Sequence, residues 1–447
     1  MVKYFKENND ALICIGFILS LFHWALATAF CVLLLLYLQQ GIRGGVKALI
    51  ILAIRTNLGT SVASSFGSGG MVKYAVIFMI SFYLIYQSHP LNPERLKRFL
   101  GLLALFVISN VLTAFMASSY PVTAIFKLVS YSVPFYAVVK AVGDDSDFDY
   151  IEYMLSWFTI VLLAGVVAIP VGSLNYVNGD FQGILLHPNT FGLFGAVYVG
   201  LASYQLASDK DVDSKVFRII CIALALVMLY LSKSRTGMFS ALIFVAAAYV
   251  LSDRMQIAPK IVLGIIVVAI GVIYLRLVPE LSDAVSKFIT KRGETRLLES
   301  RDAMRESFEV SYAANPLFGT GFLVPFREGV RDFSLSFSLV AEPGNLLYCV
   351  VGNSGIVGTI LFVLYVGYIA VCAGRRKLLL AVIPLMISMG EVAFFSTNNL
   401  AVWYYVMYGV CLAFDGEREA VYTDEQDYLQ DEYEASPKES HMKRETV

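Results

Sequence analysis

Charge is scarce in this sequence. Asp, Glu, Lys and Arg make up only 15% of 447 residues, and 57% are hydrophobic. Soluble domains carry about a quarter charged residues, so the composition indicates a membrane protein. A basic excess is also lacking. Lys plus Arg number 34 against 35 Asp plus Glu, and a net charge of -1 leaves no broad basic face for a nucleic-acid partner. Cysteines are few and unpatterned. Cys14, Cys31, Cys221, Cys349, Cys372 and Cys411 all sit in apolar stretches without CxxC spacing, as small buried hydrophobes rather than disulfides or metal ligands. Four scattered histidines make a zinc site unfavourable, and no cofactor motif is found. No small-residue cleavage site follows the apolar run after Lys3 and Lys6, so that run is expected to stay as a span.

Long apolar runs dominate what is there. A span needs roughly 20 apolar residues. Candidates cover 11–22, 24–38, 46–60, 70–86, 98–117, 122–142, 152–172, 189–206, 216–232, 237–251, 260–278, 344–372, 378–395 and 401–414. The first two are either separate helices with an apex at His23-Trp24 or one long tilted helix. The expected fold is therefore all-α, a polytopic integral membrane protein of about 12–14 transmembrane helices spanning 1–414. Orientation follows from Lys and Arg in short loops. Arg43/Lys47, Arg95/Lys97/Arg98, Lys210/Lys215/Arg218, Arg254/Lys260 and Arg375/Arg376/Lys377 fall on alternate loops, which are assigned to the cytoplasm; 59–70, 117–121 and 173–188 hold none on the outer side beyond the membrane. The longest loop, 279–343, falls outside, and the acidic tail 415–447 is expected to be disordered and cytoplasmic.

Polar residues then cluster on the outer side. Ser232-Lys233-Ser234-Arg235-Thr236-Gly237 interrupts two apolar stretches. A guanidinium at a membrane boundary needs water or an anionic partner, and a lipid-linked phosphate is such a partner. Residues 297–314 have helical apolar spacing, stopped by Asn315-Pro316 before a Gly319-Thr320-Gly321 turn. An amphipathic helix at the outer interface is expected there.

The outer motifs run in order: His187-Pro188-Asn189; Ser234-Arg235-Thr236-Gly237; Arg301 heading a helix that ends in Asn315-Pro316-Leu317-Phe318-Gly319-Thr320-Gly321-Phe322; Glu342-Pro343-Gly344-Asn345-Leu346-Leu347; and Gly355-Ile356-Val357-Gly358. This set resembles the O-antigen ligase and O-antigen polymerase superfamily of bacterial inner-membrane glycosyltransferases, over most of 180–414. The resemblance implies a C-type glycosyltransferase fold with a large periplasmic loop. It also implies substrates carried on undecaprenyl diphosphate, as donor and as acceptor, and an active face in the periplasm. A chain-length regulator protein is a further possible partner, beside the membrane lipids. Ligase-like members usually carry His before the Asn of the last motif. Here that position is Gly344, which favours the polymerase branch, making O-antigen or another exopolysaccharide.

The implied reaction displaces a lipid diphosphate from an anomeric carbon by a sugar hydroxyl. Guanidinium forks stabilise the departing charge by bidentate hydrogen bonds. No outer acidic cluster has metal-ligand spacing, so a metal-free mechanism fits. Arg235 is the first candidate for the diphosphate, against the alternative of an ordinary snorkelling arginine. Arg301 follows, against a solvated surface charge, with Arg296 as its substitute. Arg55 and Lys127 lie towards the outer ends of their spans and either hold a phosphate or snorkel to headgroups. His187 orients a sugar hydroxyl or contacts phosphate, or else is structural in a capped helix start with Asn189 as the cap. Glu342, two residues before the missing histidine, is the first candidate base. Glu391, in an apolar stretch facing Thr397-Asn398-Asn399, is the second, because burial raises a carboxyl pKa; the alternative is a buried carboxyl bonded to a neighbouring helix. Beside polymerase and ligase stands a third reading, a transporter of the same lipid-linked glycan, which would need polar residues along a path through the membrane.

Overall fold

In the computed structural model, residues 8–67, 70–90, 92–145, 147–170, 176–177, 179–208, 215–252, 302–324, 345–396 and 400–413 are described. The Arg254/Lys260 loop, the 260–278 span, most of the 279–343 loop and the 415–447 tail lie outside them. Among the described residues there are thirteen α-helices and one two-stranded hairpin. The helices are α1 Asn8–Leu19, α2 Trp24–Leu33, α3 Gly41–Thr56, α4 Gly70–Gln87, α5 Pro93–Met116, α6 Pro121–Asp144, α7 Tyr150–Ala168, α8 Pro188–Ser208, α9 Lys215–Leu231, α10 Arg235–Leu251, α11 Asp302–Ala314, α12 Leu346–Ser388 and α13 Ala401–Leu412. Among the described residues, seven helical runs are long and apolar enough to cross a membrane, the first of them Trp24–Thr56. Both faces of most are apolar, and large side chains such as Phe115, Val167 and Val371 stay exposed on the outside, where only lipid would accept them. The chain is an all-α polytopic membrane protein.

Helix starts are fixed by short polar side chains. Asn92 Oδ1 accepts from Arg95 N at 3.1 Å, Asp149 Oδ1 from Glu152 N at 2.9 Å, and Asn345 Oδ1 from Leu347 N at 2.9 Å. Each satisfies an amide that the first helical turn leaves without an intrahelical acceptor. The open question at the N-terminus resolves as two helices: α1 and α2 pack together, and His23 Nδ1 caps α2 by accepting from Ala25 N at 3.2 Å. After α2 the chain tightens into a 3₁₀ segment, Leu34–Gln40, before α3.

The interior is built from α6, α8, α12 and α13. Helix α13 is buried along almost its whole length, and its Tyr405 and Tyr408 join Tyr131, Phe135, Phe394 and Phe395 in one aromatic cluster. The Tyr131 and Tyr365 hydroxyls pair at 2.8 Å, so this apolar core leaves neither phenol dry. Helix α8 approaches its neighbours closely because Gly192, Gly195 and Gly200 face Ser234, Leu229 and Ile383. Small residues replace a hydrophobic driving force that lipid cannot supply between helices.

Helix α12 holds the two expected spans, joined at a kink. Left-handed breaks fall at Gly355 (φ 63°) and Gly374 (φ 56°), and the second part ends at Ser388 rather than 395. A Cβ would make both conformations unfavourable. The Gly374 break sits beside Arg375, where a loop was expected. At the Gly355 break the helical ladder is interrupted, and the freed amides find carbonyls outside the helix. Ile356 N donates to Pro316 O at 2.9 Å and Val357 N to Leu317 O at 3.0 Å, while Asn353 O accepts from Gly321 N at 3.0 Å. The Asn315–Phe322 loop is therefore stitched into a helix more than thirty residues later.

Two ends emerge from this packing. At one, Arg43 forms a bidentate pair with Asp145 (Nη2 to Oδ1 2.7 Å, Nε to Oδ2 2.8 Å), Tyr150 Oη donates to the same carboxylate at 2.9 Å, and Lys140 Nζ donates to Ile85 O at 2.6 Å. Arg95, Lys215, Arg218 and Lys377 also lie there, at the starts or breaks of α5, α9 and α12. This is the basic end. The other end carries the outer motifs.

Candidate active site

The motif end is assembled from five separated pieces of chain. The first is the end of α3, which docks on the short antiparallel hairpin β1 Tyr176–Val177 and β2 Asp180–Phe181 and the residues after it. Gly59 N donates to Ile184 O and Leu186 N to Asn57 O, each at 2.9 Å. That brings His187, at the start of α8, to the rim.

His187 lies exposed, and its Nδ1 accepts from Asn189 N at 3.1 Å while its carbonyl accepts from Phe191 N at 3.0 Å. The histidine, not Asn189, is thus the cap of α8, because its ring nitrogen lies two residues before the amide it satisfies. An accepting Nδ1 leaves the proton of the neutral ring on Nε2, which makes that nitrogen a donor. Asn189 turns elsewhere. Its Nδ2 donates to Glu391 Oε1 at 2.8 Å across 202 residues.

Glu391 follows the end of α12 in a turn rather than inside a span, and it is half-buried. The turn is held from three sides. Asn345 Nδ2 donates to Met389 O at 3.0 Å, which links the start of α12 to its end. Gly390 packs so closely on Thr236 that no Cβ fits between them, and Gly237 lies against Gly192, whose carbonyl would sit 2.5 Å from a Cβ. One residue on either side of the Thr236–Gly390 contact stand Arg235 and Glu391. The Thr397-Asn398-Asn399 segment expected to face Glu391 lies outside the described residues.

Arg235 is the first residue of α10, half-buried, after the Ser234 hydroxyl that caps Gly237 N at 3.3 Å. Its position is set by a tight link between α9 and α10. There Lys233 takes φ 51°, a left-handed conformation that costs a side-chain-bearing residue roughly 1–2 kcal/mol. The strain is offset by an ion pair of Lys233 Nζ with Asp180 at 2.9 Å and a hydrogen bond to Gly179 O at 3.2 Å. The hairpin therefore clamps the turn that presents Arg235.

The two cations expected near the outer ends of spans have protein partners. Arg55, 2% exposed, donates from Nε to Ser20 Oγ (2.7 Å) and from Nη2 to the carbonyls of Ser20 (2.6 Å) and Ser64 (2.7 Å). Its guanidinium also lies 5.0 Å from the Phe66 ring centroid. Lys127 Nζ donates to Leu323 O at 2.7 Å, just beyond the Asn315–Phe322 loop. Both cations pin loops at the motif end. Arg296, Arg301 and Glu342 lie outside the described residues.

Residues 220–363 match the family model described as O-antigen ligase. Over that segment the chain is similar to the O-antigen ligase family. A comparison with curated proteins finds no match. The matched segment starts within α9 and ends within α12, so it holds Arg235, the Asn315–Phe322 loop and the Gly355 break. His187, Asn189 and Glu391 lie outside it yet fold against it. The match supports a glycosyltransferase-like enzyme with O-antigen ligase or polymerase-type activity. The Asn189–Glu391 bond is what sequence reasoning missed. Asn189 had a local explanation as a helix cap, and nothing local joins it to a residue 202 positions away.

Proposed function

We infer that the protein is a polysaccharide polymerase of the inner membrane. It transfers a glycan from undecaprenyl diphosphate to a sugar hydroxyl of a second lipid-linked repeat unit at the periplasmic face. The observation that carries this reading is the convergence of the Ser234–Gly237 turn, the start of α8 and the Glu391 turn at one end of the bundle. In the transfer, the acceptor oxygen forms a bond to the anomeric carbon as the bond to the diphosphate oxygen breaks. The hydroxyl proton passes to a carboxylate, and the diphosphate leaves with its extra charge. Arg235 is suited to the diphosphate, with Arg301 or Arg296 joining it, because guanidinium donors need no metal to balance phosphate oxygens. Glu391 is suited to the proton, since its carboxylate stands in the turn beside the Arg235 helix start and the Asn189 amide orients it. Glu342 is the alternative base. His187, at the same rim, is suited to contact a sugar or phosphate oxygen.

A ligase is the second reading, favoured by the description of the matched family model. Gly344 in place of the ligase histidine weighs against it. A transporter would need polar groups along a through path, whereas these motifs gather at one end. The test is purified protein with undecaprenyl-diphosphate-linked repeat units in detergent containing EDTA, for wild type and Arg235→Ala. A ladder of longer lipid-linked glycans, lost in the variant, supports a metal-independent polymerase. Transfer only after lipid A-core is added means a ligase, and no transfer to either acceptor overturns the enzyme reading.

A further inference from the structure

Carboxylates are missing from a long stretch of this chain. No Asp or Glu occurs between Asp10 and Glu94, although Arg43, Lys47, Arg55 and Lys73 all lie between them. Arg43 and Lys47 belong to the basic end, where Arg43 meets Asp145 and Lys47 donates to Gln40. The other two stand at the motif end and share one ring. Arg55 Cζ lies 5.0 Å and Lys73 Nζ 5.3 Å from the Phe66 centroid, and the Tyr74 ring lies 5.5 Å from the same ammonium. Arg55 is satisfied by Ser20 and Ser64. Lys73, at the start of α4, makes no hydrogen bond or ion pair although it is only 8% exposed. Its Nζ is not sealed as the unpartnered Tyr404 and Tyr408 hydroxyls are, so part of that residual exposure is at the ammonium itself. Helices α2, α3 and α6 pack against α4, and the one carboxylate on them is Asp144, which accepts from His89 N at the basic end. Asp180, on the hairpin that the end of α3 docks against, is taken by Lys233. Aromatic faces attract a cation without neutralising it, and a buried charge is costly unless paired. The counter-ion of Lys73 has to come from outside the chain.

We propose that Lys73 is the centre of an anion subsite for the phosphate of a lipid at the motif end, with a phosphate oxygen accepting from Nζ beside Phe66 and Tyr74. Level in the membrane selects phosphate among anions. Lys73 lies at the beginning of a span, where headgroups sit, and basic pockets between spans hold anionic heads. An ammonium is a compact point donor, so one phosphate oxygen reaching Nζ is enough. Charge selects the class of lipid. A head with net negative charge is drawn to the two cations around Phe66. A zwitterion brings an ammonium that finds no carboxylate there and meets Lys73 and Arg55 instead. A phosphodiester of the bulk membrane and a lipid-linked phosphate share this chemistry. Lys73 belongs to the α1–α4 side of the motif end, whereas Arg235 is presented by the turn between α9 and α10, so the subsite is additional to the proposed diphosphate contact.

The full chain, delipidated in detergent, is titrated with phosphatidylglycerol, undecaprenyl phosphate, phosphatidylethanolamine or inorganic phosphate, and read by native mass spectrometry and melting temperature. Wild type is expected to retain one anionic lipid per chain that Lys73→Met does not. That lipid is held at least about tenfold more tightly than phosphatidylethanolamine, the worth of one hydrogen bond to a charged group, and it raises the melting temperature. Without lipid, Lys73→Met is expected to melt no lower than wild type, because it removes a buried charge that has no partner. With anionic lipid it is expected to show no rise. A variant melting well below wild type without lipid would make Lys73 structural and overturn the site. Equal retention of anionic and zwitterionic lipid, or retention indifferent to Lys73→Met, overturns it too. Inorganic phosphate binding as tightly as the lipids overturns the lipid source. Tighter retention of undecaprenyl phosphate than of phosphatidylglycerol assigns the subsite to lipid-linked substrate, and the reverse order assigns it to bulk lipid. None of these readouts depends on glycan transfer, so this inference and the proposed function fail separately.

Discussion

Arg55 and Glu391 are both ionisable residues near a membrane boundary, and the structure gives them different surroundings. Arg55 is sealed in, with three hydrogen bonds to neutral oxygens of Ser20 and Ser64. Its removal would strand carbonyls and loosen the α1–α2 turn and the 61–66 loop. Arg55→Ala is expected to destabilise by about 3 kcal/mol or more, seen as a lower melting temperature in detergent. A variant with unchanged melting but impaired diphosphate binding would return this arginine to the ligand. Glu391 is half-buried and accepts a hydrogen bond from Asn189. Glu391→Gln can keep that bond, so folding is expected to survive while the transfer rate falls about 10²–10⁴-fold, the usual worth of a positioned base. An active Glu391→Gln enzyme would shift the base to Glu342.

Helix α12 carries the clearest expectation at the scale of an element. Its Gly355 break has φ 63°, and a Cβ there would strike the Leu317 backbone. Gly355→Ala thus combines a left-handed strain of about 1–2 kcal/mol with displacement of the Asn315–Phe322 loop. Gly367 lies in the same helix with open space around its Cα, and Gly367→Ala is expected to be neutral or slightly stabilising. Limited proteolysis and melting curves of the two variants make the comparison; equal behaviour would mean that the break is not needed. The break was visible in the sequence only as a glycine in an apolar run. Most spans were legible, since 70–86, 98–117, 122–142 and 237–251 differ by a few residues from α4, α5, α6 and α10. Length and hydropathy decide a span, whereas a kink depends on which carbonyls a distant loop supplies.

The two-ended arrangement makes an expectation for the molecule as a whole. All six cysteines are buried or half-buried, so a single new cysteine reports its own side with a membrane-impermeant thiol reagent. His187→Cys is expected to label from the periplasm, and Lys97→Cys only after the membrane is opened. Labelling in the reverse pattern would invert the proposed topology. At the basic end, burial pushes the Asp145 carboxyl up, but hydrogen bonds from Arg43 and Tyr150 and the Arg43 charge outweigh it and hold the pKa below its ordinary value. A depressed folded pKa contributes stability above the unfolded value and loses it as pH falls through the folded one. Melting temperature should therefore drop on acidification below the ordinary carboxylate range, and less steeply in Asp145→Asn. Parallel curves would remove this clamp from the acid limb.

Sequence alone determined that the chain lives in a membrane, roughly where it crosses, and which loops share a side, because apolar length and the placement of Lys and Arg are local quantities. Only the tertiary structure decided what each polar residue touches. Asn189 could have capped its own helix, yet it reaches Glu391, and Arg55 could have met a phosphate, yet it ties down Ser20 and Ser64. In a low-dielectric interior an unpartnered donor is costly, and whether a near or a distant acceptor is available depends on helix packing, which the order of residues does not display.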